Sequence, residues 1–153
     1  GITLGIVLTL ISYLRMTSHP HIAVVGRIQG TEHFRNVKRH DVKTWPHLLL
    51  LRIDENLTFA NVNFVEEFIT DQLRRQPDIK HVVLIFASVS YIDSTALEVI
   101  EGLNDTLKGM NITLHLSEAK GPVLDKLHKT DFFSHLKPGK VFFRTQDAVN
   151  ELA

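Results

Sequence analysis

The stretch Ser90–Leu97 reads SYIDSTAL and sets a carboxylate and two hydroxyls, Asp93, Ser94 and Thr95, in consecutive positions. It follows HVVLIFASV (His81–Val89), an almost unbroken apolar run, and leads into Leu97, Ile100, Leu103, Leu107 and Met110 at helical spacing. The point where a strand ends and a helix begins is where open α/β sheets gather function. Two chemistries fit these residue types. Asp, Ser and Thr each cap a helix by accepting a hydrogen bond from a first-turn N–H, and Thr95 with Glu98 has the spacing of a capping box. Ser94 is also a candidate phospho-acceptor or anion-sensing hydroxyl, because a phosphate at a helix N-terminus meets free N–H groups and a favourable dipole. The charge of Asp93 opposes that phosphate. No base lies close by in sequence to activate Ser94 as a nucleophile, so an enzyme reading has only this triplet in its favour.

Other constellations are weaker. His19, His21, His33, His40 and His47 raise the question of a metal site, but no thiolate and no fixed ligand spacing accompany them, and loop or interface roles are expected. There is no G-x-G-x-x-G, no G-x-x-x-x-G-K-[ST] and no H-E-x-x-H. With no cysteine among 153 residues, disulfide scaffolds, thiolate zinc sites and cysteine nucleophiles are excluded. The 17 Lys and Arg balance 17 Asp and Glu, which argues against a general nucleic-acid binder. Residues 1–47 nevertheless hold six basic against two acidic residues, +4, leaving −4 for the remainder. Arg35, Lys38, Arg39 and Lys43 make the middle of that basic stretch a candidate contact for anionic lipid or an acidic partner.

The elements that must position these residues begin with Gly1–Leu14, GITLGIVLTLISYL, an uncharged and mostly apolar run. As a helix it is about 21 Å long, short of the roughly 20 residues that cross a hydrocarbon core. A signal peptide would carry its positive charges before the apolar run, whereas Arg15 follows it. Two readings stay open on pattern alone: an amphipathic or buried first helix, or the tail of a membrane helix whose following arginines face the cytoplasm. The opening Gly suits the second, as an interior position of something longer.

Beyond His19, short apolar runs alternate with helical ones. Strands are expected at Ile22–Ile28, Phe34–Val37, Leu48–Ile53, His81–Val89, Ile112–Leu116 and Val141–Phe143. Helices are expected over Asn61–Gln76, with Asn63 and Glu66 in a capping arrangement, over Leu97–Met110, from Gly121-Pro122, and over Thr145–Leu152 behind a Thr cap. From Leu48 onwards strand and helix alternate, which predicts an α/β domain with a mainly parallel sheet and crossover helices, preceded by the apolar helix.

Ile92-Asp93-Ser94-Thr95-Ala96-Leu97 resembles the D-S-[ST]-[GA] element of the STAS domain, with Ala96 where Gly is frequent. That domain is shared by anti-sigma-factor antagonists and by the cytoplasmic C-terminal region of SulP-type sulfate permeases. Two further stretches are similar to the permease branch. One runs from His19-Pro20-His21-Ile22 to Gly26-Arg27-Ile28 and on through Thr31, Phe34 and Arg35 to Val37–Asp41; the other is the turn Leu57-Thr58-Phe59-Ala60-Asn61. The resemblance spans nearly the whole chain. It implies a transmembrane helix end or linker over 1–18 and a STAS domain over 19–153, on the cytoplasmic face of a bacterial inner membrane. It also implies a regulatory rather than catalytic role in a secondary anion transporter, with assembly, trafficking or gating served by partner binding. Asp93, Ser94 and Thr95 then form the regulatory junction, with Ser94 matching the serine phosphorylated in the antagonists, and Phe59, Ala60 and Asn61 shape the neighbouring turn. The implied partners are the transporter's own membrane domain, a second copy in a homodimer and a cytoplasmic protein such as an acyl carrier protein. No cofactor or metal is implied beyond weak nucleotide or anion binding at the Ser94 helix N-terminus. The alternative is a free-standing phospho-switch of the antagonist kind.

Overall fold

A computed structural model describes residues 1–153, the side chain of Thr17 excepted. The elements in chain order are α1 (Ile2–Ser18), β1 (Ile22–Arg27), β2 (Phe34–Asn36), β3 (Leu48–Ile53), α2 (Val62–Arg75), β4 (His81–Ile85), α3 (Ser94–Gly109), β5 (Thr113–Ser117), α4 (Gly121–His128), α5 (Phe132–Leu136), β6 (Val141–Phe142) and α6 (Thr145–Leu152). They form one six-stranded sheet in the order β2-β1-β3-β4-β5-β6. Strands β3 to β6 are parallel, as the alternation of strand and helix predicts, because each crossover returns the chain to the same end of the sheet. No helix separates β1, β2 and β3, and these pair antiparallel.

The sheet is covered unequally. Leu49, Leu51, Val82, Leu84, Leu114 and Leu116 point to one face, where α2, α3, α4 and α5 bury Ile69, Ile100, Leu127 and Phe132 against them. The intervening Leu48, Leu50, Val83 and Ile85 point to the other face, which α6 covers with Ala148 and Val149. Burial on both faces explains why the parallel strands read as continuous apolar runs rather than as alternation. Gly139 permits the last strand to dock, since a Cβ there would lie 1.9 Å from the Leu114 carbonyl oxygen.

Several boundaries differ from expectation. The run His81–Val89 is strand only to Ile85; Phe86–Val89 turns, and the Val89 N–H bonds to the Phe86 carbonyl. The helix expected from Leu97 begins three residues earlier, at Ser94. Asn63 is already inside α2, so its pairing with Glu66 is not a cap. Arg144, not Thr145, is the N-cap of α6, and the Thr145 hydroxyl is instead 2.9 Å from that of Ser117 and donates to Glu118 Oε2 at 2.6 Å. Helix α5 was not anticipated: five residues make too short a period to read.

Helix α1 is neither amphipathic nor buried. Ile2, Leu4, Ile6, Val7, Leu8, Leu10, Ile11 and Leu14 are all exposed, and they fall on every side of the helix. At its end His19 meets Phe64 of α2 edge-on, with ring centroids 5.1 Å apart. Among the described residues no helix is long and apolar enough to cross a membrane.

Candidate functional site

The turn before α2 and the turn before α3 are one hydrogen-bonded unit. Leu57 and Ile92 form a parallel bridge: the Leu57 N–H donates to the Tyr91 carbonyl and the Asp93 N–H to the Leu57 carbonyl, each at 3.1 Å. The Asp93 carboxylate then ties both turns together. Its Oδ1 accepts from the Ala96 N–H at 2.7 Å, which caps α3, and its Oδ2 accepts from the Phe59 N–H at 2.8 Å. A carboxylate shared by two backbone donors is a charge-assisted arrangement, stronger than two neutral bonds.

Asn56 and Asn61 complete the unit. Asn56 Oδ1 accepts from the Ser90 and Tyr91 N–H groups at 2.8 and 3.1 Å. Asn61, 6% exposed, accepts from the Thr58 N–H through Oδ1 at 3.0 Å and donates through Nδ2 to the Asn56 carbonyl at 2.6 Å. So Phe59, Ala60 and Asn61, named from one stretch of sequence, and Asp93, Ser94 and Thr95, named from another, belong to one hydrogen-bonded unit, with Asn61 buried beneath it. Asn56 is the residue that sequence reasoning missed. The only available signal was an Asx residue at the head of a turn.

The cap belongs to Asp93. Ser94 and Thr95 lie in the first turn of α3, exposed, so the Thr95–Glu98 capping box does not form. Around these two hydroxyls the surface is aromatic and cationic. Phe59 is 72% exposed and Tyr91 52%. The Lys126 ammonium lies 5.1 Å from the centre of the Tyr91 ring, and the Lys120 ammonium donates to the Ser90 hydroxyl at 3.3 Å. No general base is bonded to Ser94 among the described residues.

The basic stretch does not form one patch. Arg35 lines a cavity with Arg52 and Arg144 at the carboxyl end of the sheet. Lys38 and Arg39 line a separate groove with Phe68 and Arg75 of α2, and Lys43 sits 5.9 Å from the centre of the Trp45 ring. The histidines also disperse. His21 pairs with Asp54, His47 is 2.9 Å from the Asp78 carbonyl oxygen, and His33 lies at the first cavity.

One histidine pair was invisible in the sequence. The parallel register of β4 and β5 brings His81 Nδ1 to 3.0 Å from His115 Nε2, and His115 Nδ1 accepts from the Lys140 N–H at 3.0 Å. Because that acceptor atom carries no proton, neutral His115 has its proton on Nε2 and donates it to His81. Burial first, with neighbouring His81 and Lys140 acting in the same direction and Glu151 against them, holds the His115 pKa down to about 4. His81 is lowered by burial and by Lys80.

The STAS domain family profile matches residues 39–149. A probable sulfate transporter 4.2 of Arabidopsis thaliana is 29% identical over 160 residues, covering 97% of this chain and 24% of that protein. The chain thus spans about a quarter of the length of the curated relatives it matches. Among solved structures, the murine Solute Carrier 26 family member A9 anion transporter in its inward-facing state superposes with a TM-score of 0.85 at 15% identity, over 98% of this chain and 25% of that one. A putative anti-sigma factor antagonist from Thermotoga maritima superposes with a TM-score of 0.62 at 19% identity, over 72% and 91%. At those identities the structural matches show the fold.

Proposed function

The chain belongs to the STAS domain family, and from that premise we propose that it is the regulatory and docking domain of a sulfate-type anion transporter, held at the cytoplasmic face of the membrane. The observation that carries the reading is the joined surface of the two turns, where Asp93 fixes Phe59, Ser94 and Thr95 in one rigid frame and leaves two aromatic rings uncovered. Rigid exposed aromatics are what protein interfaces enrich. Helix α1, apolar on all sides, supports continuity with a membrane domain, and the sulfate transporter named above supports the transporter class. On this reading the domain performs no catalytic step and holds no cofactor. It assists assembly, trafficking or gating of its own membrane domain, as one of two copies in a homodimer, and docks a cytoplasmic partner. Ser94 is its modifiable position, and an acidic protein of the acyl carrier type would meet Lys38 and Arg39. Deleting residues 48–153 from the full-length protein is expected to lower abundance or sulfate uptake; unchanged abundance, oligomeric state and uptake would sink the proposal.

A second reading, the free-standing phospho-switch, is favoured by the likeness to the antagonist over most of that protein's length. Fractionation of source cells separates the two. An antigen of about the mass of this chain, 17.4 kDa, in the soluble fraction supports the switch, and a much larger membrane-bound one supports the transporter domain.

A further inference from the structure

A cavity of about 320 Å³ opens at the carboxyl ends of β3 and β4, on the sheet face opposite α3. Three guanidinium groups, Arg35, Arg52 and Arg144, and two carboxylates, Glu32 and Glu118, line it. We propose that this cavity binds an oxyanion, sulfate or a small carboxylate, with Arg52 as its anchor.

The carboxylates are already committed. Glu118 accepts the Thr145 hydroxyl at 2.6 Å, and Glu32 faces Arg144 at 3.4 Å. Two of the guanidinium groups are not fully used. Arg35 donates Nη1 to the Phe34 carbonyl at 2.9 Å and has no carboxylate partner among the described residues. Arg52 interrupts the leucines of β3 on the face where Leu48 and Leu50 pack, and its side chain is only 28% exposed. It gives Nε and Nη2 to Asp54 at 2.8 and 3.3 Å, which leaves the Nη1 donors uncommitted. Asp54 already balances the Arg52 charge, so what the cavity is offered is the free edge of the guanidinium, whose geometry matches planar and tetrahedral oxyanions. The carboxyl ends of parallel strands are also where open α/β sheets bind ligands. The volume lies at the low end of ligand sites, which suits a small anion.

The same arginine reaches the end of α1. Asp54 Oδ2 lies 2.5 Å from His21 Nδ1, and the Asp54 N–H donates to the His21 carbonyl at 3.0 Å. His21 stands three residues beyond the last residue of α1. An anion that draws Arg52 away from Asp54 leaves His21 as the remaining side-chain partner of that carboxylate. On the transporter reading, on which this consequence alone rests, cavity occupancy is sensed at the junction with the membrane helix.

The test titrates the 1–153 chain, in non-ionic detergent and at constant ionic strength, with sodium sulfate and separately with sodium succinate, against chloride, reading amide and histidine-ring NMR shifts. Saturable shifts at Arg35, Arg52, Thr145 and Gln146, with a change at the His21 ring, are expected. Each of Arg52→Gln and Arg35→Gln should weaken binding about tenfold or more, as loss of one charge-assisted pair implies. Arg35 is exposed on an edge strand, so its variant decides the matter even if the Arg52 variant misfolds. Whichever anion saturates at lower concentration identifies the source. Absence of saturation with both salts to about 50 mM, well above a weak millimolar site, overturns the site, as do shifts confined to other regions and indifferent to both variants. Because binding is read on the chain alone, a null result leaves the transporter reading intact, and failure of that reading leaves the site intact.

Discussion

The Asp93 carboxylate holds the backbone N–H of Phe59, 34 residues away, at 2.8 Å while it caps its own helix through Ala96. One side chain therefore sets the relative position of two turns that carry exposed residues, Phe59 on one and Ser94 and Thr95 on the other.

Asp93→Ala removes a helix cap and a second charge-assisted acceptor together. A loss of roughly 2–3 kcal/mol is expected in urea unfolding, above the range of about 0.5–2 kcal/mol for a cap alone. Ser94→Ala, at an exposed first-turn position that is not the cap, should stay within about 0.5 kcal/mol of the parent. That is less than sequence reasoning predicts for it, since the same triplet read without its tertiary partner lets any of three residues serve as the cap.

Asn56→Ala strips the acceptor from two backbone N–H groups, those of Ser90 and Tyr91. Each unpaired donor costs about 1–3 kcal/mol where water does not replace the acceptor. Hydrogen exchange at those two amides is expected to rise in Asn56→Ala well before global unfolding, and unchanged protection would contradict the arrangement.

The His81–His115 pair predicts sensitivity to acid. Both imidazoles have pKa values lowered by burial, that of His115 to about 4, so the folded chain binds fewer protons than the unfolded chain between the ordinary histidine value of about 6.5 and that lower value. Stability contributed by these groups is therefore full above about 6.5, declines as pH falls towards about 4, and stops declining below it. Urea midpoints measured from pH 7 to 4 check this, with His115→Gln expected to flatten part of the slope. A parent protein with no loss over that interval would show that the pair is not held neutral.

Much of the fold was legible because it rests on patterns of local range. Leucines filling Leu48–Leu51 and the apolar run from His81 announce central strands, and Ile100, Leu103 and Leu107 announce the helix that follows the second of them. What stayed hidden depends on register and tertiary contact. His81 and His115 meet because parallel strands pair Val82 with Leu114, a relationship no local pattern encodes. Arg52 and Arg35 come to one cavity through the antiparallel join of β1 to both neighbours. Asn61, expected within a helix, is instead a buried brace of the turn before it. The Asp-Ser-Thr triplet stands at the start of α3, and the bond from the Ala96 N–H to Asp93 Oδ1 shows which member is the cap.

The exposed rings test the docking surface proposed above. Replacing Phe59 and Tyr91 together by Ser should leave stability within about 1 kcal/mol, because neither ring is in the core. The most direct measurement places this double variant in the full-length protein and follows membrane abundance and sulfate uptake beside the parent. Reduced abundance or uptake, with the domain still folded, is the predicted result; parental values for both would contradict a regulatory role for this surface.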